Sequence, residues 1–343
     1  MEYRQLGRTG TRVSELCLGT MNFGGRTDEE NSIRIIDQAI EAGINFIDTA
    51  DVYGRGVSEE ITGKALAANG HRDDVVLATK AVANMGDGPN DHGASRYHLT
   101  RAVEGSLKRL QTDRIDLFYL HIVDLTTPMD EILDTLDVLV RQGKLLYVGT
   151  SKWPPTLIME GLALADAHGL PRFVAEQPPY QMLDRGIENE LVWMCMRQGI
   201  GICPWGPLAY GMLTGRYRKG QDFPEGGRMS KKDPDTDNRL THEALDAIEE
   251  YLKLSEARGV PLAEFAHAWL LRRPGLSSVI IGPRTEEHLE SALRSLDLEL
   301  TEEELARVDE IVPPGTWVSD FYDGNVYGRL RKMIKTPDEW RKR

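Results

Sequence analysis

Four side chains that can exchange or steer protons occur at corresponding places in the first half of the chain. Asp48, Lys80 and His121 each end a short apolar segment, and Tyr53 lies a few residues beyond Asp48. Short apolar runs of this kind are typical of buried strands. We therefore expect the four side chains to stand where strands open into loops, a common position for catalytic residues.

The combination of residue types suits proton transfer to a carbonyl oxygen. A tyrosine phenol, with an ordinary pKa of about 10, is a poor proton donor at neutral pH unless a neighbouring cation stabilises its phenolate. Lys80 can supply that cation, and Asp48 can keep Lys80 charged and oriented. His121 can orient the carbonyl oxygen and share its proton. Such a set protonates an alkoxide as it forms, so the partner it lacks is a hydride donor.

Each of the four residues also has an ordinary structural interpretation. An aspartate near a strand end is most often a turn residue, and a lysine there is usually a solvated charge. A lone histidine is more often structural than catalytic, and Tyr53 before Gly54 fits loop packing. The catalytic interpretation depends on all four residues converging on one rim of the fold.

The elements that must position these residues alternate along the chain. Eight short apolar strands start at about residues 15, 44, 74, 115, 145, 172, 200 and 277, each followed by helix. The helical segments show apolar stripes, as at Leu99, Val103 and Leu107. Eight parallel strands with helical crossovers predict a (β/α)8 TIM barrel. Asp48, Lys80 and His121 would then end its second, third and fourth strands.

Several segments lie outside this alternation. Residues 3–14 read as an N-terminal β-hairpin, and the pattern Thr27-Asp-Glu-Glu30 predicts a capping box for the first helix. A long loop, residues 208–240, follows strand seven, and loops of this length are usually functional or mobile. We predict one domain over residues 1–343, with residues 313–343 as a C-terminal tail.

The composition excludes several classes of function. The chain has 343 residues, 41% of them hydrophobic, and a net charge of −13, which argues against nonspecific binding to nucleic acid or anionic membranes. Three cysteines without C-x-x-C spacing predict neither disulfides nor a metal site, and they favour a cytoplasmic location. No signal segment or apolar run of membrane-spanning length is evident.

The four residues, taken with their neighbours, resemble a known family. Asp48-Thr-Ala-x-x-Tyr53-Gly54, Lys80 after an apolar strand, and His121 after Asp116-Leu-Phe-Tyr-Leu are similar to the tetrad of the aldo-keto reductases. The resemblance covers residues 3–312. Gly149-Thr-Ser-Lys-Trp153 and the long loop look closer to the bacterial and potassium-channel β-subunit branches than to the aldose-reductase branch. The resemblance implies NADPH-dependent carbonyl reduction with Tyr53 as the acid.

The resemblance also implies a set of cofactor contacts. Residues against the nicotinamide ribose, the carboxamide and the nicotinamide ring would be Gly19, Thr20, Met21, Asp48, Ser151, Gln177 and Trp205. The pyrophosphate segment and its basic clamp would be Gly206, Pro207, Leu208, Gly211, Gly215, Arg216 and Arg228. The adenosine 2′-phosphate site would comprise Gly282, Arg284, Thr285 and His288, which favours NADPH (NADP+ when oxidised) over NADH.

Some positions depart from the family pattern. Lys152 stands where many members have Asn, Gly206 replaces a common Ser, and Ser291-Ala292 replaces a Glu-Asn pair beside the adenine. Tyr53, His121 and Trp153 are expected to contact the substrate. The other expected walls of the substrate pocket are residues 85–95, residues 122–127 and the aromatic tail residues Trp317, Phe321 and Tyr322.

Three hypotheses about function stay open at this point. The leading one is an NADPH-dependent reductase of an aldehyde, a ketone or a keto-sugar. The second is a lyase in which Lys80 forms a Schiff base, although Asp48 and Tyr53 would keep that lysine protonated. The third is an NADPH-binding regulatory subunit with weak reductase activity. The sequence leaves the natural substrate, the direction and the oligomeric state undetermined.

Overall fold

The computed structural model of the protein describes residues 1–335, and these form two compact units. The first unit comprises Met1–Gln177, Met194–Cys203 and Gly275–Glu290, and the second comprises Pro178–Trp193, Pro204–Pro274 and the residues from Ser291 on. Residues 336–343 of the predicted tail lie outside the described residues. Since every strand belongs to the first unit, that unit carries the sheet architecture.

The strands fall where the apolar runs predict them. The N-terminal hairpin is formed by β1 and β2, which pair antiparallel. The strands are β1 Tyr3–Gln5, β2 Arg12–Ser14, β3 Leu16–Gly19, β4 Phe46–Asp48, β5 Val76–Ala81, β6 Ile115–Leu120, β7 Leu145–Thr150, β8 Phe173–Glu176, β9 Gly201–Ile202 and β10 Val279–Ile281.

The eight strands after the hairpin form one parallel sheet that closes on itself. The strand order is β10-β3-β4-β5-β6-β7-β8-β9. A parallel bridge between Ile202 and Leu276 joins the two ends, with hydrogen bonds from Ile202 N to Gly275 O (3.1 Å) and from Ser277 N to Ile202 O (2.9 Å). Helices follow the strands in the crossovers. The predicted (β/α)8 barrel is confirmed.

Helices follow the barrel strands, as the apolar stripes predict. They are α1 Glu29–Glu41, α2 Val57–Asn69, α3 Arg96–Leu110, α4 Met129–Arg141, α5 Pro155–His168, α6 Leu191–Gln198, α7 His242–Arg258, α8 Leu262–Leu271, α9 Glu286–Arg294, α10 Glu302–Ile311 and α11 Tyr322–Lys335. Helix α11 lies in the segment that the sequence indicated only as a tail. None of the helices within residues 1–335 is long and apolar enough to cross a membrane.

The N-terminus of α1 differs from the predicted capping box. Asp28 is the capping residue, and its carboxylate accepts the Asn31 N–H at 2.9 Å. Thr27 instead donates its hydroxyl to the Arg284 carbonyl at 3.1 Å. The capping-box prediction was wrong because aspartate caps a helix as well as threonine does, and the Thr27 hydroxyl is used by the loop before α9.

The barrel interior is filled by side chains from nearly every strand. Members of this core include Cys17, Phe46, Leu117, Tyr119 and Cys203, all fully buried. The hairpin closes the N-terminal end, where Leu6 and Val13 join the same core. The interior is therefore packed and leaves the chemistry to the strand ends.

The second unit contains helices α7, α8, α10 and α11 with long connections. Asp184, which is 1% exposed, accepts the backbone N–H groups of Phe321 (2.7 Å) and Tyr322 (2.5 Å) at the start of α11. Val318 N donates to Leu183 O at 3.0 Å. These bonds order the first part of the predicted tail.

Candidate active site

Strand register brings the predicted proton-transfer residues to one end of the barrel. Asp48 is the last residue of β4 and pairs with Ala78 of β5. Lys80 pairs with Tyr119 of β6, and His121 follows β6 with its N–H bound to Ala81 O at 2.9 Å. Because parallel strands end at the same edge, the three side chains converge without any contribution from long loops.

The Lys80 ammonium is the centre of the site. It is fully buried and donates to Asp48 Oδ1 at 2.5 Å, to the Thr49 carbonyl at 2.6 Å and to the Tyr53 hydroxyl oxygen at 3.3 Å. Three donors thus meet three acceptors, which satisfies the ammonium inside the protein. The sequence predicted two of these partners and missed the Thr49 carbonyl, because backbone acceptors leave no signal in residue type.

Burial and pairing act in opposite directions on the charges of this pair. Burial raises the pKa of the Asp48 carboxyl, while Lys80 and Gln177 oppose that rise. Burial alone would lower the pKa of the Lys80 ammonium, but Asp48 and Tyr53 outweigh it and raise the pKa above its ordinary value. Lys80 is therefore a cation at neutral pH and cannot act there as a nucleophile.

Tyr53 and His121 face each other beside this cation. Their ring centroids are 5.8 Å apart and their planes are nearly perpendicular, at 86°. Lys80 Nζ lies 4.9 Å from the centre of the Tyr53 ring. Since the Tyr53 oxygen accepts a hydrogen bond from Lys80, its own O–H group can donate to another acceptor. The structure brings all four predicted residues together.

Gln177 and Ser151, the predicted carboxamide residues, are bound to the same cluster. Gln177 Nε2 donates to Asp48 Oδ2 at 2.9 Å, and Ser151 Oγ donates to Gln177 O at 2.9 Å. One of the two amide N–H groups of Gln177 is thereby used, and its side-chain oxygen is oriented away from Asp48 as an acceptor. This orientation fits a ligand that presents an amide N–H group.

Glu176 precedes Gln177 and binds the turn that carries Ser151, and the sequence did not predict it as part of the site. It is fully buried on β8, accepts the Thr150 hydroxyl at 2.5 Å and accepts the Trp153 N–H at 3.2 Å. Burial raises the pKa of Glu176 to about 7, against the effect of Thr150 and of the Trp153 and Lys152 backbone N–H groups. Lys152 has a left-handed backbone, with φ of 59°. Glu176 therefore holds an unusual turn in place.

Two loops of the first unit carry further predicted cofactor residues. Asn22 Nδ2 donates to Gly282 O at 3.1 Å, so the segment after β3 is tied to the segment after β10. Arg284 N donates to His288 Nδ1 at 3.3 Å just before α9. Glu286, in the first turn of α9, is bound by Arg34 and Gln38. The Arg34 guanidinium and the Gln38 amide thus hold this carboxylate at the start of α9.

The residues predicted to lie along the nicotinamide ribose differ in accessibility. Met21 is 46% exposed, whereas Thr20 is fully buried and shares its hydroxyl with Ser58 at 2.7 Å. A Cβ atom on Gly19 would lie 2.7 Å from Ile280 Cγ2. Gly19 is thus required for packing against β10, and any contact of Thr20 with a ligand would use its backbone.

In the second unit, Trp205 is part of an aromatic cluster. Its ring lies 6.2 Å from that of Tyr210 in a stacked arrangement and 6.3 Å from that of Phe321. Arg228 lies over the Tyr210 ring at 5.0 Å. Ala209 and Tyr210 have left-handed backbones, with φ of 48° and 57°. Strained conformations of this kind are often found where a loop holds a ligand.

The other residues of the predicted pyrophosphate segment lie along the same part of the second unit. Arg216 is exposed and donates from Nε to Thr214 Oγ1 at 3.1 Å. Gly206, Gly211 and Gly215 all have positive φ, and a Cβ atom on Gly206 would meet no atom within 4 Å. Ser291, which was predicted to lie beside the adenine, donates to Glu264 at 3.2 Å. That hydroxyl is already engaged.

Two predicted walls of the substrate pocket are linked, and a third residue is buried. Asp124 Oδ2 accepts the Ala94 N–H at 2.7 Å and the Thr127 hydroxyl at 2.7 Å, which joins the loops at residues 85–95 and 122–127. Trp153 is 1% exposed and packs on Phe173 with ring centroids 5.7 Å apart. In this conformation its side chain offers almost no surface to a substrate.

The sequence matches a family model along most of its length. The model described as "Aldo/keto reductase family" matches residues 15–313. This range includes all eight barrel strands and the four residues Asp48, Tyr53, Lys80 and His121.

Proteins with similar sequences are named as an oxidoreductase, a potassium channel subunit and a reductase. The chain is 41% identical over 333 residues to the uncharacterized oxidoreductase YrpG of Bacillus subtilis, which covers 94% of this chain and 99% of that protein. It is 36% identical to a probable voltage-gated potassium channel subunit beta of Oryza sativa subsp. japonica, covering 91% and 97%. It is 34% identical to an L-glyceraldehyde 3-phosphate reductase of Escherichia coli, covering 92% and 93%.

Proposed function

The chain belongs to the aldo/keto reductase family, and from that membership we propose that it is an NADPH-dependent oxidoreductase that reduces a carbonyl group to an alcohol. The substrate class is an aldehyde, a ketone or a keto-sugar. The observation that carries the proposal is the buried Lys80 ammonium, which contacts both Asp48 and the Tyr53 hydroxyl. Relatives named as reductases support the same chemistry.

Tyr53 is the proton donor in this proposal. As hydride reaches the carbonyl carbon, negative charge develops on the carbonyl oxygen, and the Tyr53 O–H group transfers its proton there. The phenolate left behind is stabilised by Lys80 Nζ at 3.3 Å. Because this cation is buried, its field is weakly screened and acts strongly on the phenol.

Asp48 and the Thr49 carbonyl keep the ammonium in place during the transfer. Their distances to Lys80 Nζ, 2.5 Å and 2.6 Å, are shorter than the distance to Tyr53. Lys80 is therefore held mainly by Asp48 and the Thr49 carbonyl, and its hydrogen bond to Tyr53 is the longest of the three. His121, edge-on to Tyr53, is placed to contact the same carbonyl oxygen and so to orient the substrate.

The polar residues of the first unit fit a nicotinamide dinucleotide. When bound, NADPH supplies the hydride. Gln177, with its amide nitrogen fixed by Asp48, and Ser151 would bind the carboxamide. Arg284 and His288 would bind the 2′-phosphate near the start of α9, where an arginine and a helix N-terminus both favour an anion. In the second unit, Trp205 would stack on the nicotinamide ring, with Arg216 and Arg228 on the pyrophosphate.

The first test combines cofactor binding with turnover in the purified protein. NADPH and NADH are titrated by fluorescence, and aldehydes, ketones and keto-sugars are then added while the absorbance of the reduced cofactor is followed. We expect tight NADPH binding and oxidation of NADPH by at least one carbonyl compound. Binding without oxidation would favour the regulatory-subunit hypothesis, and absence of binding would refute the cofactor assignment.

A second test isolates the proton donor. Tyr53→Phe should keep NADPH binding and lower kcat by about a thousand-fold, the size of a lost general acid. Tyr97→Phe is the matched control, because Tyr97 is 59% exposed on α3 and the same hydroxyl is removed. A Tyr53→Phe variant that turns over like Tyr97→Phe would exclude Tyr53 as the acid.

A further inference from the structure

Asp51 occupies a buried position between two residues of the proton-transfer site. It lies on the segment that joins Asp48 to Tyr53, and its side chain is 1% exposed. Its backbone N–H donates to the Lys80 carbonyl at 3.1 Å, so the segment is tied to β5 at this residue. Asp51 is thus adjacent to the site in space as well as in sequence.

The carboxyl group of Asp51 has unusual surroundings for a buried acid. Neither of its oxygens has a hydrogen-bond partner of ordinary geometry within residues 1–335. Buried carboxylates are normally paired or bonded, because an isolated charge in a protein interior is costly. A carboxyl group without such partners is more easily buried as the neutral acid.

A second carboxylate makes ionisation of Asp51 still less favourable. Glu59 of α2 is fully buried and has taken the available donors: Thr79 Oγ1 at 2.5 Å and Arg109 Nε at 2.6 Å. Gly56, with φ of 99°, allows this approach, because a Cβ atom there would lie 2.7 Å from Arg109 Cδ. Arg109 therefore neutralises Glu59 and leaves Asp51 without a dedicated cation.

The charged groups that face Asp51 come from each element packed around it. They are Glu59 on α2, Arg109 on α3 and Lys80 on β5. Burial raises the pKa of Asp51 to about 7, and Glu59 adds to the rise, while the Val52 backbone N–H, Arg109 and Lys80 oppose it. The acid is neutral in mildly acidic solution and ionised in alkaline solution.

We propose that Asp51 is a positioning residue that acts through Lys80, and that its neutral form keeps the Lys80 charge available to the Tyr53 phenolate. The inference rests on the proposed role of Tyr53 as the acid. When Asp51 ionises, a second carboxylate besides Asp48 acts on Lys80. The ammonium then stabilises the phenolate less, so proton transfer from Tyr53 slows.

The proposed role of Asp51 involves proton exchange with solvent only. Asp51 releases its proton to solvent when it ionises, and the same carboxyl group takes a proton back when the pH falls. It exchanges no proton with substrate and touches no reacting atom. Its effect is therefore electrostatic and should alter the rate of proton transfer without altering cofactor binding.

The direct test compares the parent with Asp51→Asn, which keeps the shape but cannot ionise. The rate of hydride transfer is measured in single turnover from about pH 5 to pH 10. We expect the parent rate to fall about three-fold through neutral pH as Asp51 ionises, and we expect Asp51→Asn to lack this step. The affinity for NADPH should be the same in both proteins.

A matched control makes the same chemical change at an exposed site. Asp73 is 84% exposed, and Asp73→Asn should keep the parent profile. A neutral-pH step that persists in Asp51→Asn, with Tyr53→Phe still inactive, would overturn the role of Asp51 and leave the proposed function standing.

Glu59→Gln provides a variant with a different expected result. Loss of the Glu59 charge makes ionisation of Asp51 easier, so the step should move to lower pH instead of disappearing. This variant keeps the proposal testable if Asp51→Asn folds poorly. A step that stays at the parent pH in Glu59→Gln contradicts the coupling of the two acids.

Infrared spectroscopy reads the protonation state of Asp51 without any substrate. One C=O band of a neutral carboxylic acid should disappear on titration through neutral pH in the parent and be missing from the Asp51→Asn spectrum, whereas the band of Glu176, whose pKa is also about 7, should be present in both proteins. If this band titrates as expected while the protein reduces no carbonyl compound, the proposed function fails and the assignment of a neutral Asp51 remains. If the band is missing at low pH, the inference is wrong.

Discussion

Two buried carboxyl groups near the barrel rim show how differently one chemical group can be used. Glu176, at the end of β8, has three donors: the Thr150 hydroxyl and the backbone N–H groups of Trp153 and Lys152. Asp51, on the segment after β4, has none of ordinary geometry in the described part of the chain. Burial nevertheless raises the pKa of both acids to about 7.

The comparison shows that a raised pKa does not by itself identify a functional acid. In Glu176 the carboxyl group organises the turn that carries Ser151, and its hydrogen bonds partly offset the cost of burial. For Asp51, the cost of burying a charge is avoided only when the carboxyl group is protonated. The first group has a structural use whatever its charge, whereas the second changes its electrostatic effect on Lys80 when it titrates. Hydrogen-bond partners separate the two cases, and burial does not.

Glu176 and Asp51 should differ most in how far replacement by alanine lowers the free energy of unfolding. Glu176→Ala leaves a hydroxyl and two N–H groups buried without partners, and we expect it to lower the free energy of unfolding by about 4 kcal/mol. Asp51→Ala removes no hydrogen bond and should change that free energy by only about 1 kcal/mol. Urea denaturation at about pH 5, where both acids are protonated in the folded protein, measures both. Equal costs would show that the bonds around Glu176 contribute little.

A conservative replacement serves as the control for Glu176. In Glu176→Gln the amide oxygen can accept the Trp153 N–H, and the amide nitrogen can donate to Thr150 Oγ1. We therefore expect this variant to recover most of the stability lost in Glu176→Ala. If it is as unstable as the alanine variant, the carboxylate charge matters more than the hydrogen bonds.

The pH dependence of stability should be the next largest difference. The pKa of Asp51 is about 7 in the folded protein and about 3.9 when unfolded, so the folded state binds more protons between these values. The stabilising effect of that proton is complete below about pH 4 and is lost as the pH rises through 7. Asp51→Asn should therefore be more stable than the parent by about 4 kcal/mol at pH 8 and little different at pH 4.

Denaturation curves at the two pH values check this prediction, with Asp73→Asn as the control. Asp73 is exposed and should show no such difference between the pH values. A parent and an Asp51→Asn variant whose stabilities differ by the same amount at pH 4 and pH 8 would indicate that Asp51 is already ionised across the range.

The sequence predicted the site better than its surroundings, for a physical reason. Asp48, Lys80 and His121 were predictable because parallel strands end at one rim, so strand position alone brings them together. The position of Tyr53 near the same rim follows from its short separation from Asp48 in the sequence. Neither requires knowledge of side-chain contacts.

The contacts around the site were not predictable in the same way. Whether the Asp51 side chain points into the protein or into solvent depends on the turn after β4, and the residue types in that turn do not indicate its direction. Glu176 is the last residue of β8 and Gln177 follows it, and only the structure shows that Glu176 supports the turn after β7 while Gln177 contacts Asp48. Helix α11 was missed because its order depends on contacts with Asp184, which is remote in sequence.

Two threonines offer the finest comparison between the surroundings of buried carboxylates. Thr150 and Thr79 each donate a hydroxyl at 2.5 Å, to Glu176 and to Glu59 respectively. Glu59 keeps the Arg109 guanidinium when its threonine bond is lost, whereas Glu176 keeps backbone N–H groups and a weak effect of the Lys152 charge. Thr150→Val should therefore destabilise the protein by about 1 kcal/mol more than Thr79→Val.

Thr135→Val provides the baseline for this last comparison. Thr135 is 2% exposed, and its hydroxyl donates to the Glu131 backbone carbonyl at 2.6 Å, so the same replacement is made without a carboxylate acceptor. We expect Thr79→Val to lie near this baseline and Thr150→Val to exceed it. The reverse order would mean that Arg109 does not compensate Glu59.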